Sequence, residues 1–150
     1  MHPSLDDGPE GWFTADHRAC DALWAAVEDA GDDTLLATRA FAGFDQAMRR
    51  HLDMEEAVLF PAFEKATGMV GGPTSVMRME HDQMRGLLDQ MGEAVGSGRT
   101  DALLDLGDTL LMVVQQHNVK EEGMLYPMMQ MHLRREWPAL AGRLGRMVAG

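Results

Sequence analysis

The chain predicts an all-α fold, an up-down-up-down four-helix bundle with a short C-terminal helix, and three features of the sequence carry that reading. Apolar residues recur at steps of three and four along four long stretches. Breaks rich in glycine and proline separate those stretches. An eleven-residue segment also occurs twice, HLDMEEAVLFP at 51–61 and HNVKEEGMLYP at 117–127, and its common pattern is H-x-x-x-E-E-x-x-L-aromatic-P.

In chain order, residues 1–11 are acidic and broken by Pro and Gly, and read as an irregular N-terminal arm; residues 12–150 read as a single domain. The first helix is expected over about 12–30, with Phe13, His17, Cys20, Trp24 and Val27 on one face. Gly31 suits its C-terminal cap, and Asp32, Asp33 or Thr34 can cap the next helix. That second helix, about 34–66, turns Ala37, Phe41, Phe44, Met48, His51, Glu55, Leu59 and Ala62 inward. Pro61 removes the N–H that would bond to the Ala57 carbonyl, which predicts a kink or an end. Residues 67–74 read as a loop. The third helix, about 74–95, carries Met77, His81, Met84, Leu88, Met91 and Val95 inward, and Gly96-Ser97-Gly98 ends it. Thr100 or Asp101 should cap a fourth helix over about 101–131, with Leu103, Leu110, Val114, His117, Glu121, Leu125 and Met128 inward and Pro127 placed as Pro61 is. Pro138 can open a terminal helix that packs Leu140, Leu144 and Met147 on the bundle.

Composition narrows the function classes. A formal charge of −11 disfavours nucleic acid and anionic membrane surfaces as partners. There is no apolar run long enough to span a bilayer and no secretory pattern at the N-terminus, so a cytoplasmic protein is expected. Cys20 is the single cysteine, which excludes an intrachain disulfide and thiolate-rich metal sites. Any metal must be held by imidazole and carboxylate.

The repeated segment offers such a set. Four residues advance a helix by about 400°, so His51 and Glu55 share a face a turn apart, as do His117 and Glu121. A second repeat lies upstream, Asp16-His17 and Glu80-His81. Thus H…HxxxE occurs twice, with His17 and His51 34 residues apart and His81 and His117 36 apart. Imidazole and carboxylate on an apolar face are costly unless satisfied, and metal coordination satisfies them. Four imidazoles and two glutamates able to bridge suit a pseudo-twofold pair of metals, five-coordinate with an oxo or hydroxo bridge, with one position open to a small ligand. The donor set suits iron, with Mn or Zn as substitutes.

On these residues the sequence resembles the hemerythrin-like family, also called HHE cation-binding domains, over about residues 12–131. The resemblance implies a four-helix bundle around a non-heme di-iron centre, with His17 and His51 on one iron, His81 and His117 on the other, and Glu55 and Glu121 bridging. Oxygen-carrying members have a further histidine where this chain has Met77, and a bridging aspartate five residues after the last histidine, where this chain has Glu121 at four. The chain is similar instead to the four-His, two-Glu subclass, which includes bacterial proteins of oxidative and nitrosative stress. Some of those repair iron centres and carry a separate Cys-containing N-terminal domain, for which the residues before the first helix leave no room. The implied function is binding or reduction of O2, peroxide or NO, with an external reductant and no catalytic residue beyond the metal centre. The alternatives are iron or oxygen sensing or storage without turnover, and iron-centre repair.

Other residues receive lesser roles. Glu56 and Glu122 are expected to be solvated or to support the ligands, and Glu122 could itself be a ligand only through a local π-bulge. His2 and His132 read as surface residues. Cys20 reads as a small buried hydrophobe, with a redox role as its functional alternative. Phe13, Trp24, Phe41 and Phe44 should line the first half, and Met77, Met84, Met91, Met124 and Met128 the second. Tyr126, about 140° round an α-helix from Glu121, is given no role.

Overall fold

The computed structural model describes residues 8–150, and these form five continuous helical runs without a strand. Helix α1 is Gly8–Ala30. Helix α2 covers residues 34–67: α-helix over Thr34–Met54, one π turn at Glu55–Leu59, then α-helix over Phe60–Thr67. Helix α3 is Pro73–Gly96. Helix α4 covers residues 100–132 and is built like α2, with Thr100–Lys120, a π turn at Glu121–Leu125, and Tyr126–His132. Helix α5 is Trp137–Ala149.

The first helix starts four residues earlier than expected, so 8–11 are not an irregular arm; the expected arm's residues 1–7, with His2, lie outside the described residues. The early start has local causes. Glu10 N–H donates to Gln130 Oε1 at 3.1 Å, and Trp12 meets Trp137 edge to face, with ring centroids 6.3 Å apart. At the other end Gly31 adopts φ 54°, and the Asp33 side chain caps α2 by accepting from Leu36 N–H at 3.0 Å. Helix α3 closes on Gly98, at φ 70°, with Gly98 N–H bonded to the Val95 carbonyl and Arg99 N–H to the Ala94 carbonyl, a Schellman pattern. Neither Thr100 nor Asp101 caps α4. Arg99 stands at the cap without a side-chain bond, because the chain turns from the Schellman closure straight into the helix.

Helix α1 packs along α2, α3 along α4, α2 against α3, and the last segment of α4 against α1, forming a helical bundle. Its apolar core is two clusters. One holds Trp12, Phe13, Phe60, Phe63, Tyr126 and Met129 with Leu140 and Leu144 of α5; the other holds Trp24, Phe41, Phe44, Met84, Leu88, Met91 and Leu110. Trp24 lies hard against Gly107, where a Cβ would fall 2.1 Å from its ring. Among the described residues no helix is long and apolar enough to cross a membrane.

The π turns correct several expectations. Neither Pro61 nor Pro127 ends its helix. Instead Phe60 N–H bonds to the Glu55 carbonyl and Tyr126 N–H to the Glu121 carbonyl, five residues back, and each helix runs on. The wider turn takes in one extra residue, so everything beyond it rotates by about 100° relative to a continuous α-helix. Phe63 and Met129 therefore fill the core where Ala62 and Met128 were expected, and Met124 is 54% exposed.

Candidate metal centre

A polar layer accompanies the two apolar clusters. His17, His51, Glu55, His81, His117 and Glu121 are each at most 3% exposed. α1 and α3 contribute one histidine each, and α2 and α4 contribute a histidine and a glutamate each, with Glu55 and Glu121 opening the two π turns. The six residues singled out in the sequence thus meet in one place. Donor atoms of Glu55, His81, His117 and Glu121 lie within 4.8 Å of one another, and so do those of His17, His51 and Glu121. The two glutamates are close to both repeats but not equivalent, because Glu121 meets its two histidines with one oxygen each and Glu55 meets both of its with Oε1.

The glutamates reach across the repeats. Glu121 Oε1 lies 3.0 Å from His17 Nε2 and its Oε2 3.2 Å from His117 Nε2, while Glu55 Oε1 lies 2.9 Å from His81 Nε2 and 3.7 Å from His51 Nε2.

The outward nitrogens are all tied to carboxylates. Nδ1 of His17 pairs with Glu122 at 2.7 Å, His51 with Asp16 at 2.8 Å, His81 with Glu56 at 2.6 Å and His117 with Glu80 at 2.7 Å. The acid before each first histidine serves the next helix of its own repeat, and the second Glu of each segment serves the other repeat. Three of these acids are held in turn by a cation: Glu122 by Arg18 at 2.6 Å, Glu56 by Arg85 at 2.8 Å, and Glu80 by Lys120. Burial works against the charged forms of Glu56, Glu80 and Glu122, but these cations and histidines outweigh it and hold all three below the usual carboxylate range. A carboxylate on Nδ1 fixes the ring and its tautomer and turns the Nε2 lone pair inward. The Asp16-His17 and Glu80-His81 repeats were visible in the sequence, but only the fold shows that Asp16 and Glu80 serve His51 and His117.

Tyr126 was missed. Its hydroxyl donates its one proton to Glu55 Oε2 at 2.6 Å, and lies 2.9 Å from Glu121 Oε1 and 3.1 Å from His17 Nε2. The reading of about 140° assumed an unbroken α-helix, and the π turn brings the fifth residue after Glu121 back to its face. The one signal was the proline at the same place in both copies, where a helix ends, kinks or changes register. Burial first, then the two carboxylates, push the phenol well above its ordinary range, so it remains a donor.

These groups call for positive charge. Burial disfavours the His51 cation, yet Glu55 and the Asp16 hydrogen bond outweigh it and push His51 up to about 9. His117 is raised in the same way, against burial, by Glu121. Burial and the neighbouring Glu121 raise Glu55; Glu121 is instead driven well below its ordinary value, against burial, by hydrogen bonds from Glu55, His117 and His17. Among the described residues seven buried side-chain atoms have no hydrogen-bond partner, and five of them lie in this cluster: Nε2 of His51, His81 and His117, Oε1 of Glu55 and Oε2 of Glu121. All five are nitrogen or carboxylate lone pairs aimed at one another, close in distance but not aligned as hydrogen bonds. Such an arrangement is costly in a dry interior and is the one a cation would satisfy. The donor set fits a metal.

A small cavity of about 10 Å³, roughly one water molecule's worth, opens beside His17, His51 and His117 and is walled by Cys20, Met48, Leu52, Met84 and Val114. Burial, with Asp16 and Asp21 nearby, pushes the Cys20 thiol up to about 12, so at neutral pH it is an apolar wall and not a thiolate nucleophile. His132 is exposed, against the edge of Phe63, as expected of a surface residue.

A helical bundle with a buried cluster of histidines and glutamates able to bind metal is the class that fold and site define. The family model for the hemerythrin HHE cation binding domain matches residues 9–143, and the chain belongs to that family. No curated protein and no solved structure gave a match.

Proposed function

We propose that this chain is a non-heme di-iron protein that binds or reduces a small oxidant, O2, peroxide or NO, in an oxidative or nitrosative stress response in the cytoplasm. The observation that carries this reading is the set of five unpartnered lone-pair atoms facing each other behind four carboxylate-anchored imidazoles. In this reading the four long helices run up-down-up-down. His17 and His51 would hold one iron and His81 and His117 the other, with Glu55 and Glu121 as the acids shared between them. Manganese or zinc could occupy the same donors. When bound, the iron pair supplies Lewis acidity and electrons, replenished by an external reductant. The chain's own part is to hold the rings through their Nδ1 partners, to keep bulk water out between two apolar clusters, and to direct the Tyr126 proton at Glu55. The cavity at the three histidines has room for about one water molecule, which favours a very small ligand over a bulky one.

The test is metal content and optical spectrum of protein purified under air, beside His81→Ala and Glu121→Ala. Close to two irons per chain, with near-ultraviolet ligand-to-iron bands that both variants lose, is the expected result. No iron in the parent, or variants that bind metal as the parent does, would overturn the reading. Sustained oxygen release from added peroxide, above that of free iron, would identify turnover; reversible O2 or NO binding without it would identify a carrier or sensor.

A further inference from the structure

The first π turn has a support outside its own helix. Arg143 of α5 donates through Nη2 to the Ala57 carbonyl at 3.2 Å. Ala57 lies inside the turn, and Pro61, four residues on, has no N–H to offer it. Val58, in the same turn and 2% exposed, shares an apolar cluster with Leu140, Ala141 and Leu144 of α5. The C-terminal helix therefore grips the turn by one polar and one apolar contact. Glu55 opens that turn, and its carbonyl receives the wide bond from Phe60 N–H. Were the turn to lose its extra residue, everything beyond it would rotate by about 100° relative to His51 and Glu55, and Phe60 would leave its stack on His81, where the ring centroids lie 5.5 Å apart.

We propose that α5, through Arg143, positions Phe60 against the His81 ring by holding the first π turn in register. Arg143 is a positioning residue that acts from the surface, through Phe60, on one imidazole of the centre. Its consequence for metal rests on the di-iron reading; its consequence for the turn does not. The device serves one half of the molecule, because α5 packs on the turn at Glu55–Leu59.

Arg143→Met keeps the apolar stem and removes the donor. Hydrogen exchange should then quicken about tenfold at the Leu59 and Phe60 amides, the scale of one lost charge-assisted hydrogen bond. Leu125 and Tyr126, at the matching places in the second π turn, should not change. Arg143→Lys, which retains a donor, should keep most of the protection. In a Pro61→Ala background, where the helix regains its N–H, the effect of Arg143→Met should shrink below about twofold, a coupling that general loss of packing would not produce. In iron-loaded protein Arg143→Met should release one iron to a chelator about tenfold faster than the other. Equal acceleration at all four amides, no acceleration, or an Arg143 effect undiminished by Pro61→Ala would overturn the proposal. Faster exchange with unchanged iron release would overturn the part that concerns Phe60 and His81. A parent protein that takes up no iron defeats the di-iron reading alone, and the exchange measurements still decide the role of Arg143.

Discussion

The two halves of the molecule, residues 12–67 and 73–132, share one plan and differ where it matters. At the matching place after each π turn stands a buried aromatic ring. Phe60 stacks on His81, with centroids 5.5 Å apart and an interplanar angle of 26°; Tyr126 lies 5.5 Å from His17 at 32°. The rings pack alike, but only Tyr126 carries a hydroxyl, and it lies against one oxygen of each glutamate. One oxygen atom thus makes a nearly twofold site unequal: Glu121 meets its two histidines with one oxygen each, whereas Glu55 meets both of its with Oε1 and gives Oε2 to the Tyr126 hydroxyl. The core shows the same lesson in volume. Trp24 fits against α4 because residue 107 is Gly; the corresponding positions in the other half are Leu88 and Phe41, medium against large instead of large against nothing. A repeated helix pair keeps its buried histidines and glutamates by spacing and differs in bulk and in single polar atoms around them.

The sharpest way to break the comparison is to remove each glutamate in turn. Glu121→Ala should abolish binding of both irons, whereas Glu55→Ala should leave about one per chain at His17, His51 and Glu121, as measured by metal content after desalting. Equal losses would mean that the inequality of the two acids has no consequence.

Erasing the hydroxyl is the next step. Tyr126→Phe makes the two rings chemically alike and leaves Glu55 Oε2 without its donor, and should cost about 1–3 kcal/mol in denaturant unfolding of the metal-free protein. A loss below about 0.5 kcal/mol would show that the hydroxyl adds little.

Gly107→Ala tests the exchange of bulk. A Cβ there meets the Trp24 ring, so a loss of about 1–3 kcal/mol is expected, although Ala is otherwise the better helix former by about 1 kcal/mol. Gly43→Ala, with open space at its Cβ, is the control and should stabilise.

The smallest effect concerns the caps. Helix α2 begins on Asp33, whose carboxylate bonds Leu36 N–H, and α4 begins on Arg99 without such a bond. Asp33→Ala should cost about 1 kcal/mol, and Arg99→Asp should gain up to about as much, read from midpoint shifts in urea.

Much of the site was legible because helical spacing is local. His51 and Glu55, like His117 and Glu121, share a face by chain geometry, and the 34- and 36-residue returns of His17 to His51 and His81 to His117 carry the second ligand back to the level of the first. The buried faces containing Phe13, Trp24, Phe44, Met84 and Leu110 followed from the same periodicity. Past Glu55 and Glu121 the reading went astray by one residue: Ala62, Met128 and Met124 were placed inward, and Tyr126 outward, because nothing in a short stretch says whether a helix meeting a proline will end, kink or widen.

Composition and periodicity alone determined the helical class, the approximate ends of the long helices and the six donor residues, since each of these depends on neighbours a turn apart or on the chemistry of imidazole and carboxylate. Tertiary structure decided the rest. Which carboxylate holds which imidazole, that Asp16 serves His51 while Glu122 serves His17, that Tyr126 enters the centre, and that α5 reaches the Ala57 carbonyl are all contacts between distant segments. Their physical origin is a widened turn at each proline, which stays helical because the packed neighbours on both sides of it make a break more costly than one long hydrogen bond.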